Sequence, residues 1–279
     1  MLTIKKTDEL KDLLFRIKSD GKSIGFVPTM GALHQGHLSL VERARKENEM
    51  VVCSIFVNPT QFNNPSDLAN YPRPLMDDVA LLKNQQVDII FAPDTEEIYP
   101  EPPQEFYQFG ELETVMEGVF RPGHFNGVAI IVKRLLDWIK PDKVYFGEKD
   151  FQQLVIIRKL VKNHKLSTEI ISCPTMREPN GLAMSSRNSL LSESEREVAA
   201  NIYHILQESK SLITKQVQQT KDFVVSQIAT FHDMRLDYFE IADDQTLQSV
   251  ENLEEADGVM GFIAVFLGDV RLIDNIRYK

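Results

Sequence analysis

Short segments of this sequence gather residue types that do chemistry on phosphates. The first runs Pro28-Thr-Met-Gly-Ala-Leu-His34-Gln-Gly36-His37. Gly31 and Gly36 let backbone approach a phosphate closely, and His34 and His37, three apart, share one face of a helical first turn. Imidazoles so placed donate to triphosphate oxygens and stabilise charge that builds up on phosphorus. Read alone, the same letters also describe a glycine-rich turn with two surface histidines. The second segment, Gly147-Glu148-Lys149-Asp150, sets Lys149 to meet phosphate or carboxylate oxygens and Asp150 to accept from ribose hydroxyls. The third, Met176-Arg177-Glu-Pro-Asn-Gly181-Leu-Ala-Met184-Ser185-Ser186-Arg187-Asn188, is a turn followed by two hydroxyls and a guanidinium. That combination suits a mobile phosphate clamp. Asn58 and Gln61, in Val57-Asn-Pro-Thr-Gln-Phe, are amides of the kind that read hydroxyl and amine groups without adding charge. Arg121 and His124 add a cation and an imidazole ahead of a helical stretch.

These residues need elements to hold them. Apolar runs at 23–27, 50–57, 87–91, 143–146 and 168–172 read as strands, and 38–47, 76–84, 127–139 and 151–164 as helices. Such β-α alternation, with near-continuous apolar strands, predicts a Rossmann-like, doubly wound parallel sheet, an α/β fold. The phosphate-type segments fall where strands give way to helices, the edge at which open α/β sheets bind ligands. The texture changes after about Leu191. Ser192 and Glu195 form a capping-box pattern, and further helix and strand signals follow. The expected division is 1–176 as a nucleotide-binding domain and 177–279 as a smaller C-terminal α+β domain acting as a lid.

The chain has 279 residues, with 31 Lys+Arg against 41 Asp+Glu, a net charge of −10. No basic footprint for nucleic acid or an anionic membrane is present. The deficit is local: Leu236 to Val270 holds nine acids and no Lys or Arg, and the rest of the chain is close to neutral. That stretch reads as a solvated face. Cys53 and Cys173 each sit in a β-branched run and read as buried, reduced thiols. The opening MLTIKKTDEL lacks the apolar core of a signal peptide, and no apolar run is long enough to span a bilayer, so a cytoplasmic protein is expected.

Taken in order, PTMGALHQGH, VNPTQF, Tyr71-Pro-Arg73, GHFNGVA, PDKVYFGEKDFQQL and GLAMSSRN resemble the pantoate–β-alanine ligases, a family of H-x-G-H nucleotidyltransferases. The likeness is strongest over about residues 20–191. It implies a two-step ligation, in which pantoate is adenylated by ATP and β-alanine then displaces AMP. It also implies a nucleotide site built from Met30, Gly31, Ala32, Leu33, His34, Gln35, Gly36, His37, Gly147, Glu148, Lys149, Asp150, Met176, Met184, Ser185, Ser186 and Arg187. Catalytic roles fall on His37, His34, Lys149, Ser185, Ser186 and Arg187, with the proton-donor role of the family on His37. Gln61 and Gln153 are implied as pantoate ligands, and Gln61 also for β-alanine. Asn58, Tyr71, Arg121 and His124 carry over more weakly. Magnesium is implied by the ATP chemistry without assigned protein ligands. Asp77 or Asp78 are candidates to help hold it, although a helix-start charge explains either. A homodimer is implied as well. Another reading, an H-x-G-H enzyme acting on a phosphorylated acceptor, would call for added cations where Gln61 and Gln153 stand, and a third, a nucleotide-binding regulator that has lost catalysis, is disfavoured because every expected polar group is present.

Overall fold

A computed structural model describes residues 1–213 and 217–279. The chain forms two compact units, and neither is one continuous stretch. The first takes Met1–Phe109, Phe120–Glu148 and Gln153–Pro174; the second takes Gly110–Val119, Lys149–Gln152 and Thr175–Lys279. The continuous 1–176 and 177–279 division read from the sequence differs in three places, since 110–119, 149–152 and 175–176 all fall in the second unit. Segments 110–119 and 149–152 join the second unit through contacts made far along the chain, and such returns leave no mark in local composition.

In chain order the first part of the fold contains β1 (Leu2–Ile4), α1 (Thr7–Ser19), β2 (Ile24–Thr29), α2 (Gln35–Glu47), β3 (Met50–Ile55), α3 (Pro65–Asn70), α4 (Leu75–Asn84), β4 (Ile89–Phe91) and the single turn α5 (Thr95–Ile98). Another single turn, α6 (Glu117–Phe120), precedes α7 (His124–Ile139), β5 (Lys143–Gly147), α8 (Phe151–Asn163) and β6 (Glu169–Cys173). Six strands form one sheet in the order β1-β4-β3-β2-β5-β6, and every pairing is parallel. The expected doubly wound sheet is present. β1 and α1 lie ahead of the first strand read from the sequence. β1 is three residues long and runs into two lysines, too short a pattern to register as period two.

Burial explains why these strands are continuous apolar runs. In β3, Val51 to Ile55 are all buried, and α2 packs on β2, β3 and β5 through Leu38, Val41 and Ala44. Both cysteines lie in this core unpaired, and burial pushes the Cys53 thiol up to about 12. The strand order reverses direction between β2 and β5, whose registers meet at Gly25–Lys143 and Phe26–Val144. The chain thus leaves β2 and β5 side by side at their carboxyl ends, the crevice where such sheets take ligands.

The second unit holds α9 (Glu193–Leu212), α10 (Val217–Ile228) and an antiparallel sheet of β7 (Met234–Asp243), β8 (Val259–Leu267) and β9 (Val270–Arg277) in the order β7-β8-β9. α9 begins with the expected capping box: Ser192 Oγ accepts from Glu195 N at 3.3 Å, and Glu195 accepts from Ser192 N at 2.7 Å. Its apolar stripe, Ala199, Ile202 and Leu206 among it, packs with α10 and with Ile263, Val265 and Ile276 of the sheet.

The acidic stretch is only partly the solvated face expected. Asp237 pairs with Arg271 at 3.0 Å, Asp244 with Arg277 at 2.8 Å and Glu240 with Lys221, while Asp243 accepts the Gln245 and Thr246 amides. The partner cations lie outside the 236–270 window, so a count within it could not see them. Glu251, Glu254, Asp257 and Asp269 are exposed. Among the described residues, no helix is long and apolar enough to cross a membrane.

Candidate active site

In the first unit the phosphate-type segment forms the turn from β2 into α2. Gly31 has φ +83°, and a Cβ there would lie 2.9 Å from Asp78 Oδ2, so the position needs glycine on both counts. Ala32 follows at φ 50°, unusual for a residue with a side chain. What holds this bend is Asp78, in the first turn of α4. Its carboxylate is 1% exposed and accepts from Ala32 N at 2.9 Å and Leu33 N at 2.7 Å. Burial raises the Asp78 pKa above the ordinary carboxylate value, and the two amide bonds pull the other way.

His34 is the N-cap of α2. Its Nδ1 accepts from Gly36 N at 3.1 Å, and His37 Nδ1 accepts from His34 N at 3.3 Å, a reciprocal cap made by two imidazoles. The rings lie 4.0 Å apart between centroids. With Nδ1 accepting on each ring, the hydrogen-bond network assigns the proton of neutral imidazole to Nε2. The capping geometry therefore fixes the tautomer and makes each histidine an Nε2–H donor at a helix N-terminus, where the dipole already favours an anion.

Beside this turn in the same unit, Gln61 is buried at the end of a 3-10 turn, Pro59–Gln61, that follows β3. Gln61 Nε2 approaches Met30 Sδ at 2.9 Å. Asn58, 1% exposed, braces it from below: Asn58 Nδ2 donates to Gln61 Oε1 at 3.1 Å and to Gly127 O at 3.1 Å, and Asn58 Oδ1 accepts from Tyr99 at 2.7 Å. Gly127 permits this packing, since a Cβ there would lie 2.2 Å from Thr60 O. His124 and Arg121 meet the Gln61 carbonyl at 2.8 and 3.4 Å. Tyr71 is buried with its ring edge-on to Phe62, 5.6 Å away. Asn58, Arg121 and His124 thus build the platform for Gln61. Gln153 is half-buried in α8, Gly147 ends β5 and Glu148 opens the 3-10 turn that follows, all within the same unit.

In the second unit, Lys149 and Asp150 form a 3-10 turn leading into α8. Met176 to Met184 is a hairpin: Arg177 pairs antiparallel with Ala183, Met184 N donates to Met176 O at 3.0 Å, and Gly181 at φ +95° turns the tip. Ser185 caps the following 3-10 turn, Ser186–Leu190, its Oγ accepting from Arg187 N at 3.2 Å. Asn188 closes the loop from inside, donating to Glu178 at 2.7 Å and Ala183 O at 3.1 Å. The segment is a hydrogen-bonded hairpin with a capped exit.

Comparison with known proteins settles the family. A family model described as pantoate-beta-alanine ligase matches residues 2–277. The chain belongs to the pantoate-beta-alanine ligase family. It is 51% identical to a pantothenate synthetase of Bacteroides fragilis over 280 residues, covering 100% of this chain and 99% of that one. Among solved structures, it resembles pantothenate synthetase from Thermus thermophilus with a TM-score of 0.93 and 41% identity, covering 100% and 99% of the two chains. It also resembles a Francisella tularensis pantoate-beta-alanine ligase complexed with beta-gamma ATP and beta-alanine, with a TM-score of 0.84 and 38% identity, covering 100% and 98%.

For a ligase of this family, sequence reading missed the residues that shape the motifs rather than compose them. Asp78 was read as a helix-start charge or a metal-linked group; both its oxygens hold the Ala32–Leu33 bend. The only local signal was an acid at a helix start preceded by proline, which many surface helices share. Gln152, next to the Gln153 singled out, is buried and bridges Leu112 O, Val115 O and Glu117 N within the second unit. Among the described residues no group of three or more His, Cys, Asp or Glu is placed to hold a metal ion.

Proposed function

We propose that this ligase joins (R)-pantoate to β-alanine at the expense of ATP, through a pantoyl adenylate. In the first step a pantoate carboxylate oxygen attacks the α-phosphorus; the new C–O–P bond forms as the α–β bridging oxygen leaves with pyrophosphate. In the second, the β-alanine amine attacks the acyl carbon, the amide forms, AMP leaves with the carboxylate oxygen, and the amine nitrogen gives up a proton. Adenylation replaces a poor leaving group with a good one, so the protein has mainly to position reactants and stabilise charge.

The observation that carries this reading is the paired imidazole cap at the start of α2, with both Nδ1 atoms turned to backbone amides. His34 and His37 then act through Nε2–H on the triphosphate, His37 as the donor to the departing pyrophosphate oxygen. Met30 to His37 line the nucleotide, together with Gly147, Glu148, Lys149, Asp150, Met176, Met184, Ser185, Ser186 and Arg187. Lys149, Ser185, Ser186 and Arg187 bear on the phosphates, and Ser185 Oγ retains a hydroxyl proton to donate while it accepts from Arg187 N. Gln61 and Gln153 bind pantoate, and Gln61 also serves β-alanine. The platform beneath Gln61 fixes which amide atom is offered.

Magnesium belongs with the triphosphate. It favours phosphate oxygens and retained waters over an all-protein cage, and Asp78 already spends both oxygens on amides. When bound it would neutralise phosphate charge; no protein ligand is assigned to it. The working form is a homodimer in the cytoplasm, and neither nucleic acid nor membrane is a partner. The test of the reaction is ATP–pyrophosphate exchange. Exchange is expected to require D-pantoate and magnesium and to proceed without β-alanine; exchange indifferent to pantoate would refute the adenylate route.

A further inference from the structure

β9 reads Val270-Arg-Leu-Ile-Asp274-Asn275-Ile-Arg, and its two consecutive polar residues are both buried, at 5% and 7% exposure. Two adjacent strand residues point to opposite faces of the sheet, so this is not the polar half of an alternating pattern. Each side chain instead grips a separate chemistry-bearing segment of the second unit. On one face Asp274 takes the Arg177 guanidinium in a fork, Oδ2 to Nη1 at 2.7 Å and Oδ1 to Nη2 at 2.9 Å. Arg177 also donates to Gly181 O and stacks 3.7 Å from the Tyr203 ring centroid. On the other face Asn275 Nδ2 donates to the Lys149 carbonyl at 2.9 Å. Asn275 pairs in register with Phe262 of β8, whose ring packs 5.8 Å from that of Phe151, so the same face of the sheet meets the 149–152 segment twice. Asp274 Oδ1 accepts the Asn275 backbone amide at 2.8 Å and ties the two grips together.

The carbonyl of a short surface turn is ordinarily satisfied by water. Committing a buried amide to it carries a desolvation cost that packing alone would avoid. Polar residues that break a strand's local pattern are where function is expected to override the folding rule. What the bond supplies is location: it fixes the backbone of Lys149, from which the ammonium projects.

We propose that Asn275 is a positioning residue for the adenylation step, acting through Lys149. The inference rests on the assignment of Lys149 to the phosphates of ATP. Lys149 keeps its carbonyl when its side chain is removed, so the two effects separate. In the wild-type background, Asn275→Ala is expected to lower kcat for pantoate-dependent pyrophosphate exchange about 10-fold, well within what a sub-ångström to 1 Å displacement of a phosphate-binding group produces. The KM for pantoate, a ligand assigned to Gln61 and Gln153, is expected to stay within about twofold on the same reasoning.

The deciding measurement is the same substitution in a Lys149→Ala background. A group that acts only through the Lys149 ammonium has nothing left to position there, so Asn275→Ala should then change kcat by less than about twofold. An equal loss in both backgrounds, or no loss in the first, overturns the proposal. A Lys149→Ala enzyme that exchanges at the wild-type rate overturns the assignment of Lys149 instead, a result that cannot be confused with the other two. Far-UV circular dichroism verifies the fold of each variant. Should Asn275→Ala fail to fold, Asn275→Ser, too short to reach the carbonyl but still polar, is read by the same two outcomes.

Discussion

Replacing Asp78 with Asn tests whether the bend ahead of His34 is held by two amide bonds to one carboxylate. Two effects oppose each other. The carboxylate is buried and its pKa is raised, so neutralising it relieves a desolvation cost. An Asn side chain, however, offers one acceptor to two donors and turns an NH2 toward the Ala32 or Leu33 amide. A hydrogen bond to a charged acceptor is worth about 1.5–3 kcal/mol, the same order as the relief, so the net change in stability should be under about 1 kcal/mol. On a chain of this size that is a shift of only about 2–4 °C in melting temperature. Asp78→Ala, by contrast, leaves both amides buried without acceptors and should cost about 2–4 kcal/mol.

Activity should respond differently. Ala32 sits at φ 50°, a conformation that costs about 1 kcal/mol or more and persists only while its surroundings enforce it. With one of the two bonds gone, the bend relaxes and His34 moves with it. Pantoate-dependent pyrophosphate exchange should fall by about 10- to 100-fold in Asp78→Asn, since a 1 Å misplacement can cost about 100-fold. The pH dependence carries the sign of the pKa shift. A folded-state pKa above the unfolded value means the native carboxyl takes up its proton first as pH falls, so Asp78 draws stability from the fold as pH rises through that window and adds none above it. The wild-type rate should therefore drop on acidification toward that of Asp78→Asn, whose own rate does not respond at this position. An Asp78→Asn enzyme with the wild-type rate would refute the argument.

Two further outcomes follow from the geometry. His37→Gln keeps a side chain that can accept from the His34 amide but removes the imidazole, so exchange should fall by at least about 100-fold with melting unchanged, whereas His37→Ala should lose the same rate and about 1 kcal/mol of cap energy besides; a near-normal rate in His37→Gln would place the proton donor elsewhere. Glu47 is held from the usual 4.5 to about 2 by Arg43 first and then Lys143, with Tyr145 also donating. Its folded pKa lies below the unfolded one, so its stabilisation is present above about pH 4.5 and is lost as pH falls toward 2. Solvent screening reduces it to about 1–2 kcal/mol. Thermal melts should separate wild type from Glu47→Gln at pH 7 and bring them together near pH 2; a constant gap would show that packing, not charge, is what Glu47 supplies.

What the sequence showed and what it hid divide along chain separation. The β-α alternation, the strand-to-helix positions of His34, His37 and Lys149, and the Ser192–Glu195 cap are local patterns, and local patterns can be read. The reciprocal histidine cap was within reach, since His34 and His37 stand at the same spacing as Ser192 and Glu195; their chemistry drew attention away from their geometry. Asp78 closing the loop from α4, Gln152 reaching residues near 115, and Asn275 holding Lys149 pair positions from 35 to 126 residues apart. No periodicity marks such pairs. They become visible only once the sheet orders bring the elements together.

The scattered make-up of the second unit bears on the order in which the molecule can fold. Glu117 is buried, and Arg271 meets both its oxygens at 2.7 and 2.9 Å while Tyr238 donates at 3.0 Å; Arg271 and Tyr238 lie 154 and 121 residues downstream. Until those strands exist, Glu117 lacks the Arg271 guanidinium, and breaking a buried pair of that kind costs about 3–5 kcal/mol. Segment 110–119 must therefore wait, and so must 149–152, although both are synthesised within the stretch that builds the parallel sheet. The sheet can assemble early from its own contacts. The turn that presents Lys149 acquires its final shape only after β9 has added to β8, and long-range closures of that kind are the slow ones.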